Sequence, residues 1–248
     1  FDWHNYGKST IGARSDVENV KIENLQNFYR KYYQPDNAVL LVAGKFDPTS
    51  TLEQIQKAFG GIAKPTRVLE PTYTQDPVQD GEREVTIRRT GDTQISAVFY
   101  HTPRGSHEDS GAVAALSEVF ASTPNGRLHK NLVEKKLAVS IMNLNMGLAE
   151  GGYVLFFAEL NKTQSLQQAR LALLQELEGL REKPVTEEEL KRAKDSLLSE
   201  IDSIINDPQQ LAVQLSESIA KGDWRLFFLQ RDRIENLKLA DLQSAGLN

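Results

Sequence analysis

The 248-residue chain contains no cysteine. That absence excludes disulfides, thiolate metal ligands and a Cys nucleophile together. It suits a reducing cytosol and equally a periplasmic protein that avoids mispairing, so the compartment stays open on this ground. No apolar run approaches the ~18 residues that a membrane span needs, so no membrane-spanning segment is expected. The first residues do not read as a signal peptide. The chain opens at Phe1, in a compact-looking stretch, and so reads as a piece of something longer. Basic excess is also missing: 29 Lys and Arg stand against 34 Asp and Glu, a formal charge of −5. A chain of that balance makes a poor nucleic-acid binder, because phosphate neutralisation needs clustered cations. The densest basic group, Arg83 with Arg88 and Arg89, is interleaved with Glu82 and Glu84 and reads as a solvated strand face.

Histidine is scarce as well. The four are His4, His101, His107 and His129, and no two share the i+3 or i+4 spacing that sets paired imidazoles on one helical turn. His-x-x-Glu-His and His-Glu-x-x-His are both absent, so no zinc-protease ligand set is expected in this chain. His129 and Glu134 are spaced poorly for shared ligation. Gly7-Lys8-Ser9-Thr10 suggests a phosphate loop, but Asp2 stands where that loop needs its first glycine and no strand precedes it. The glycines of Gly147 and Gly151-Gly152 fit a tight turn between strands. Asn161-Lys162-Thr163 matches a glycosylation acceptor, a tripeptide frequent by chance. No Gly-x-Ser-x-Gly elbow occurs, and Glu187-Glu188-Glu189 reads as the first turn of a helix, where negative charge complements the dipole.

What is present is an ordinary globular composition, 40% hydrophobic and 25% charged, with clear periodicity. Ser15 and Glu18 have capping-box spacing. Ile22, Leu25, Phe28, Tyr29 and Tyr32 predict an amphipathic helix ending before Pro35. The run from Ala38 to Gly44 reads as a fully buried strand. Asp47-Pro48 opens a helix faced by Leu52, Ile55 and Phe59 and closed at Gly60-Gly61. Pattern then dissolves through Pro65, Pro71 and Pro77, the mark of a linker. Beyond it, Val85 and Ile87 mark a first strand, and Ile95 to His101 a second. Helices follow at Ala112 to Phe120 and about Arg127 to Lys136, then strands at Val139 to Leu144 and Tyr153 to Leu160. The remaining helices carry Leu166 to Leu180, Leu190 to Ile205 (capped by Thr186 and Glu189), Leu211 to Ile219 and Trp224 to Leu237. The expected class is α+β: an antiparallel-rich mixed sheet with helices packed on one face.

Several stretches together resemble the pitrilysin/insulinase family of zinc metallopeptidases. They are Tyr6-Gly7 with Ile11-Gly12, Phe28-Tyr29-x-x-Tyr32-Tyr33-x-Pro35-x-Asn37-Ala38, Val42 to Asp47, Gly126 to Ala138, Val185 to Lys194 and Gly222-Asp223-Trp224-Arg225, the last similar to large bacterial members. The resemblance implies a clamshell of two halves around a peptide chamber, with domains of the pitrilysin and mitochondrial processing peptidase type. It implies that residues 1–62 finish a first, zinc-bearing domain, that 63–80 link, and that 81–248 form a second, non-catalytic domain. Zinc is then expected in the parent protein and not in this chain, because the family's zinc motif lies upstream. The family's substrate-contacting Arg and Tyr fall where Val133 and Val139 stand, with one residue deleted. Neither Val donates a hydrogen bond to a peptide carbonyl or an oxyanion. The implied role is a non-catalytic segment of a zinc endopeptidase, inactive alone. Its partners are peptide substrates and the other half of the clamshell, in the same chain or a partner subunit. The alternative is a catalytically inactive core-type subunit that pairs with an active partner. Likeness to large bacterial members favours the periplasm over the cytoplasm.

Overall fold

The computed structural model describes residues 1–247, which divide into two compact units. The first comprises residues 1–41 and 45–88, the second 42–44 and 89 onward.

The first unit carries three α-helices. Helix α1 (Arg14–Asn19) starts one residue before Ser15, with Ala13 at its cap and no side-chain cap bond. Ser15 therefore lies inside the helix instead of capping it. Helix α2 (Ile22–Tyr32) coincides with the periodic stretch that predicts it. Helix α3 (Pro48–Phe59) is capped by Asp47, whose carboxylate accepts from the Ser50 N–H at 2.8 Å, and Pro48 occupies the first turn, where its missing N–H has no cost. The expected strand from Ala38 to Gly44 does not form. Its backbone is without secondary structure, because an apolar run of this kind needs ladder partners on both sides, and none of the described residues supplies them. Residues 63–80 likewise have no regular structure, yet they are tied down within the unit. Arg67 donates both guanidinium arms to Asp36 at 2.7 and 3.0 Å. Asp76 accepts the backbone N–H groups of Asp2, Trp3 and His4. That carboxyl is held below its usual range: burial opposes its ionisation, and the backbone N–H bonds with the nearby N-terminal ammonium outweigh it.

The second unit is built on three strands, β1 (Thr93–Thr102), β2 (Ser140–Gly147) and β3 (Gly152–Asn161), in spatial order β1-β3-β2. Both pairings are antiparallel, so the sheet carries no parallel pair. Alternate residues of β3, from Val154 through Phe156 and Ala158 to Leu160, are buried, as a half-buried strand demands. Helices α4 (Ser110–Ala121) and α5 (Leu166–Glu178) share one hydrophobic cluster with that face, centred on Leu116, Phe120, Leu128, Leu132, Leu173 and Leu242. Phe120 meets Phe156 edge-on at 5.9 Å. Helices α6 (Glu187–Ile205), α7 (Pro208–Ala220) and α8 (Leu226–Glu235) enclose a smaller cluster around Ile201, Phe227 and Ile234. Thr186 caps α6 as its sequence context predicts, in a reciprocal capping box with Glu189, and Asp207 caps α7 by accepting from the Gln209 and Gln210 N–H groups.

Two expectations need correction, one at the end of the first unit and one in the second, and one element of the second was not expected. Val85 and Ile87 lie in no strand and are 82% and 72% exposed; with charged residues on both sides, they find no core face to bury against. The helix expected from Arg127 to Lys136 is instead a wide π-helical turn at His129–Val133. A further helix, α9 (Leu239–Leu247), inserts Leu242 completely into the main core.

Candidate functional site

The segment from Gly126 to Ser140 joins α4 to β2 and contains the two positions singled out from the sequence. Its anchor is Arg127. The guanidinium Nε and Nη2 each donate to the Glu189 carboxylate at 2.7 Å, while Nη1 and Nη2 donate to the carbonyls of Lys183 and Pro184 at 2.7 and 2.8 Å. One side chain thereby fixes the start of the turn, the α5–α6 connection and the first turn of α6. The planar fork suits two-point carboxylate binding, which a lysine cannot reproduce. Glu189 also accepts from the Thr186 N–H at 2.9 Å. Burial works against its charge, but the hydrogen bonds from Arg127 and Thr186 and the Arg127 charge overcome it and lower its pKa to about 2.

Downstream of the anchor, the π-turn closes on one acceptor. The Leu132 carbonyl takes the N–H groups of both Leu137 and Ala138, at 2.8 and 3.1 Å. To bring the chain round, Lys136 adopts φ +60°, a left-handed conformation uncommon for a residue with a Cβ. Its carbonyl is held by Gln164 Nε2 at 2.7 Å. Val133 ends the turn half-buried against the main core. Val139 is 52% exposed just before β2, its N–H donating to the Glu159 carbonyl at 2.7 Å. The structure therefore separates the two: one packs inward, the other meets solvent.

The histidines stay dispersed. His4 is the buried one, its Nδ1 accepting from the Tyr6 N–H at 3.2 Å. His101 lies on β1, His129 in the π-turn, and His107 in the β1–α4 connection, where Nδ1 accepts from the Asp109 N–H. Among the described residues no three His, Asp or Glu side chains form a group that could hold a metal ion. One carboxyl is displaced upward: Glu118 on α4, because burial disfavours its charge and Glu200 adds like charge, against a hydrogen bond from Ser196. It reads as an electrostatic cost in the α4–α6 interface.

Sequence reasoning read Arg127 only as part of a motif and Glu189 only as a capping residue. Their pairing across 62 residues was legible in neither period nor spacing. The one hint was a capping Glu with a second carboxylate oxygen to spare.

Fold and site together define an α+β domain ordered around an arginine-pinned turn. Residues 19–197 match the family model described as the Peptidase M16 inactive domain. The chain belongs to that family, the pitrilysin/insulinase type it resembles in sequence, and the part matched is its inactive domain. Among curated relatives, the zinc protease PqqE of Helicobacter pylori is 28% identical over 97% of this chain and 55% of its own length. The chain thus spans about half of that relative. The solved inactive peptidase domain of a zinc protease from Bordetella parapertussis is 40% identical, covering 66% of this chain and 89% of that one, with a TM-score of 0.60. A solved protease from Helicobacter pylori covers 98% of this chain and 60% of its own, at 26% identity and a TM-score of 0.90.

Proposed function

We propose that these residues belong to a larger zinc-dependent endopeptidase and act there as supporting architecture. The observation that carries the reading is the pairing of two facts. The matched family model is that of an inactive domain, and a relative aligned along 97% of the chain is a zinc protease of which the match covers 55%. In this reading residues 1–62 complete the zinc-bearing domain, residues 63–80 link, and residues 81–248 form the second domain. Zinc and the general base lie outside this chain. Val133 and Val139 occupy the positions where the family places its substrate-contacting Arg and Tyr. With no donor at either, those contacts come from the opposite half of the clamshell, in the same polypeptide or a partner subunit. The segment's task is to wall a peptide-binding chamber, and β1 and β2, the outer strands of the sheet, are placed to take a peptide as an added strand.

The test is zinc stoichiometry of the full-length protein after dialysis, by atomic emission, alongside cleavage of an unstructured peptide. About one zinc per chain with cleavage supports the proposal. Absence of zinc from a correctly folded protein overturns the peptidase reading in favour of an inactive subunit.

A further inference from the structure

The second unit holds a cavity of about 360 Å³ at the end of the sheet where β1 finishes at Thr102 and β2 at Gly147. That volume lies in the range of small-molecule sites. Its lining residues all fall between positions 102 and 234, so the walls come from this unit alone. Two glycines shape one wall. A Cβ on Gly105 would stand 2.6 Å from the Gly147 carbonyl oxygen, so only glycine lets the two segments touch there. The floor is the smaller hydrophobic cluster, since Ile201, Phe227 and Ile234 all line the cavity. Polar groups with unused bonding capacity converge over that floor. Ser218 on α7 is only 7% exposed, yet its hydroxyl has no hydrogen-bond partner among the described residues. A buried polar group in that condition calls for a partner. Gln230 on α8 accepts from the Ser110 hydroxyl through Oε1 at 2.7 Å, which leaves its Nε2 donors unbonded. Lys221 at the end of α7 and Glu200 on α6 line the same cavity, and neither forms an ion pair among the described residues.

We propose that this cavity binds a small zwitterion with an apolar side chain, a free apolar amino acid or a dipeptide. The ligand's carboxylate takes hydrogen bonds from the Lys221 ammonium, the Ser218 hydroxyl and the Gln230 amide, bonds strengthened by charge. Its ammonium pairs with the Glu200 carboxylate. Its side chain leaves water to lie on Ile201, Phe227 and Ile234. The two unpaired charges of opposite sign select this class over its neighbours. A plain anion such as a fatty acid satisfies Lys221 but brings like charge to Glu200, which already stands within repulsion of Glu118 on α4. A plain amine satisfies Glu200 and leaves Lys221, Ser218 and Gln230 without an acceptor. The site is separate from the architectural role proposed above and stands whether or not the parent protein holds zinc.

The experiment is isothermal titration calorimetry of the full-length protein with L-leucine and with Leu-Leu. At least one should bind with a Kd below ~1 mM, and the tighter of the two names the source. Three analogues of that ligand remove one feature each: the C-terminal amide, the N-acetyl derivative, and glycine or Gly-Gly. Each should bind at least ~10-fold more weakly. Two substitutions then locate the site. Lys221→Met should weaken the ligand at least ~10-fold and leave the amide analogue unchanged, because that analogue has no carboxylate to lose. Glu200→Gln should weaken it likewise and spare the N-acetyl analogue. Neither side chain has an ion-pair partner in the fold, so both variants should keep the circular dichroism spectrum of the parent. No binding of either ligand up to ~10 mM overturns the proposal. Binding that survives both substitutions also overturns it, because the ligand then sits elsewhere in the protein. Tighter binding of the N-acetyl analogue than of the ligand itself overturns it in favour of a simple carboxylate site.

Discussion

The Arg127–Glu189 bridge can be removed with little change of shape by Glu189→Gln. In the fold the carboxylate receives two short bonds from Arg127 and one from the Thr186 N–H. Its pKa falls from an ordinary 4.5 to about 2, and the ~2.5 pH units between them correspond to ~3.4 kcal/mol at about 1.36 kcal/mol each. Solvent reaches both side chains, 12% and 16% exposed, and screens part of that; we expect a loss of ~2 kcal/mol at pH 7. The folded value lies below the unfolded one. The stabilisation is therefore complete above about pH 5 and drains away as the pH falls through 4.5 toward about 2. By that relation about three-fifths of it survives at pH 3.5. The assay is urea unfolding followed by Trp224 fluorescence in a Trp3→Phe background, at pH 7, 5 and 3.5, for the parent chain and the variant. The gap between them should be widest at pH 7 and narrow steadily on acidification. A gap below ~0.5 kcal/mol at pH 7, in the range of ordinary surface substitutions, would refute the assignment of Arg127 as the anchor. So would a gap that stays constant down to pH 3.5, since the loss would then not be that of the carboxylate's charge.

Other outcomes follow from neighbouring features. Lys136→Gly should stabilise the second unit by ~0.5 kcal/mol, because relief of the left-handed strain exceeds the added freedom of the unfolded chain; a lower urea midpoint would contradict this. Glu118→Gln should raise the thermal midpoint at pH 8 more than at pH 5, because its raised pKa makes ionisation a cost that grows with pH, and a pH-independent shift would disprove that cause. Leu132→Ala or Leu173→Ala, each removing a side chain with no exposed surface, should cost ~3 kcal/mol, whereas Leu25→Ala in the same chain should fall within ~0.5 kcal/mol in urea unfolding. The purified 248-residue chain should retain no zinc after dialysis; one tightly held ion per chain would direct attention back to His101, His107 and His129.

The features legible in the sequence were those with a local cause. Helix α2 was legible because its five apolar positions share one arc, and caps at Asp47 and Thr186 could be placed because a capping side chain bonds only two or three residues ahead. Features with a distant cause were not legible. The segment after Arg127 has the spacing of a regular helix, yet Leu132 must present its carbonyl to two amides, Gln164 must hold Lys136, and Arg127 must reach Glu189. Those partners come from other elements, and they convert a helix pattern into a wide turn. Helix α9 was missed for a related reason: Leu239, Leu242 and Ala245 are too few to signal a helix until Leu242 is seen filling the core.

The strand expected at residues 38–44 belongs to another category. Its composition argues for burial on both faces and pairing on both edges, and that argument is sound physics whether or not the partners are at hand. In the second unit, where the sheet and its helices lie in one stretch of chain, the same style of reasoning recovers Leu116, Phe156, Leu160 and Leu173 as core. In the first unit it yields Leu25, Phe28, Leu40 and Phe59 as core-type residues, and all four are more than half exposed. A pattern that succeeds for one half of a chain and misses in the other by the same sign at every position points to a common cause. That cause is the lack of a sheet in the first unit: among residues 1–88 no strand offers a face to the apolar sides of α2 and α3.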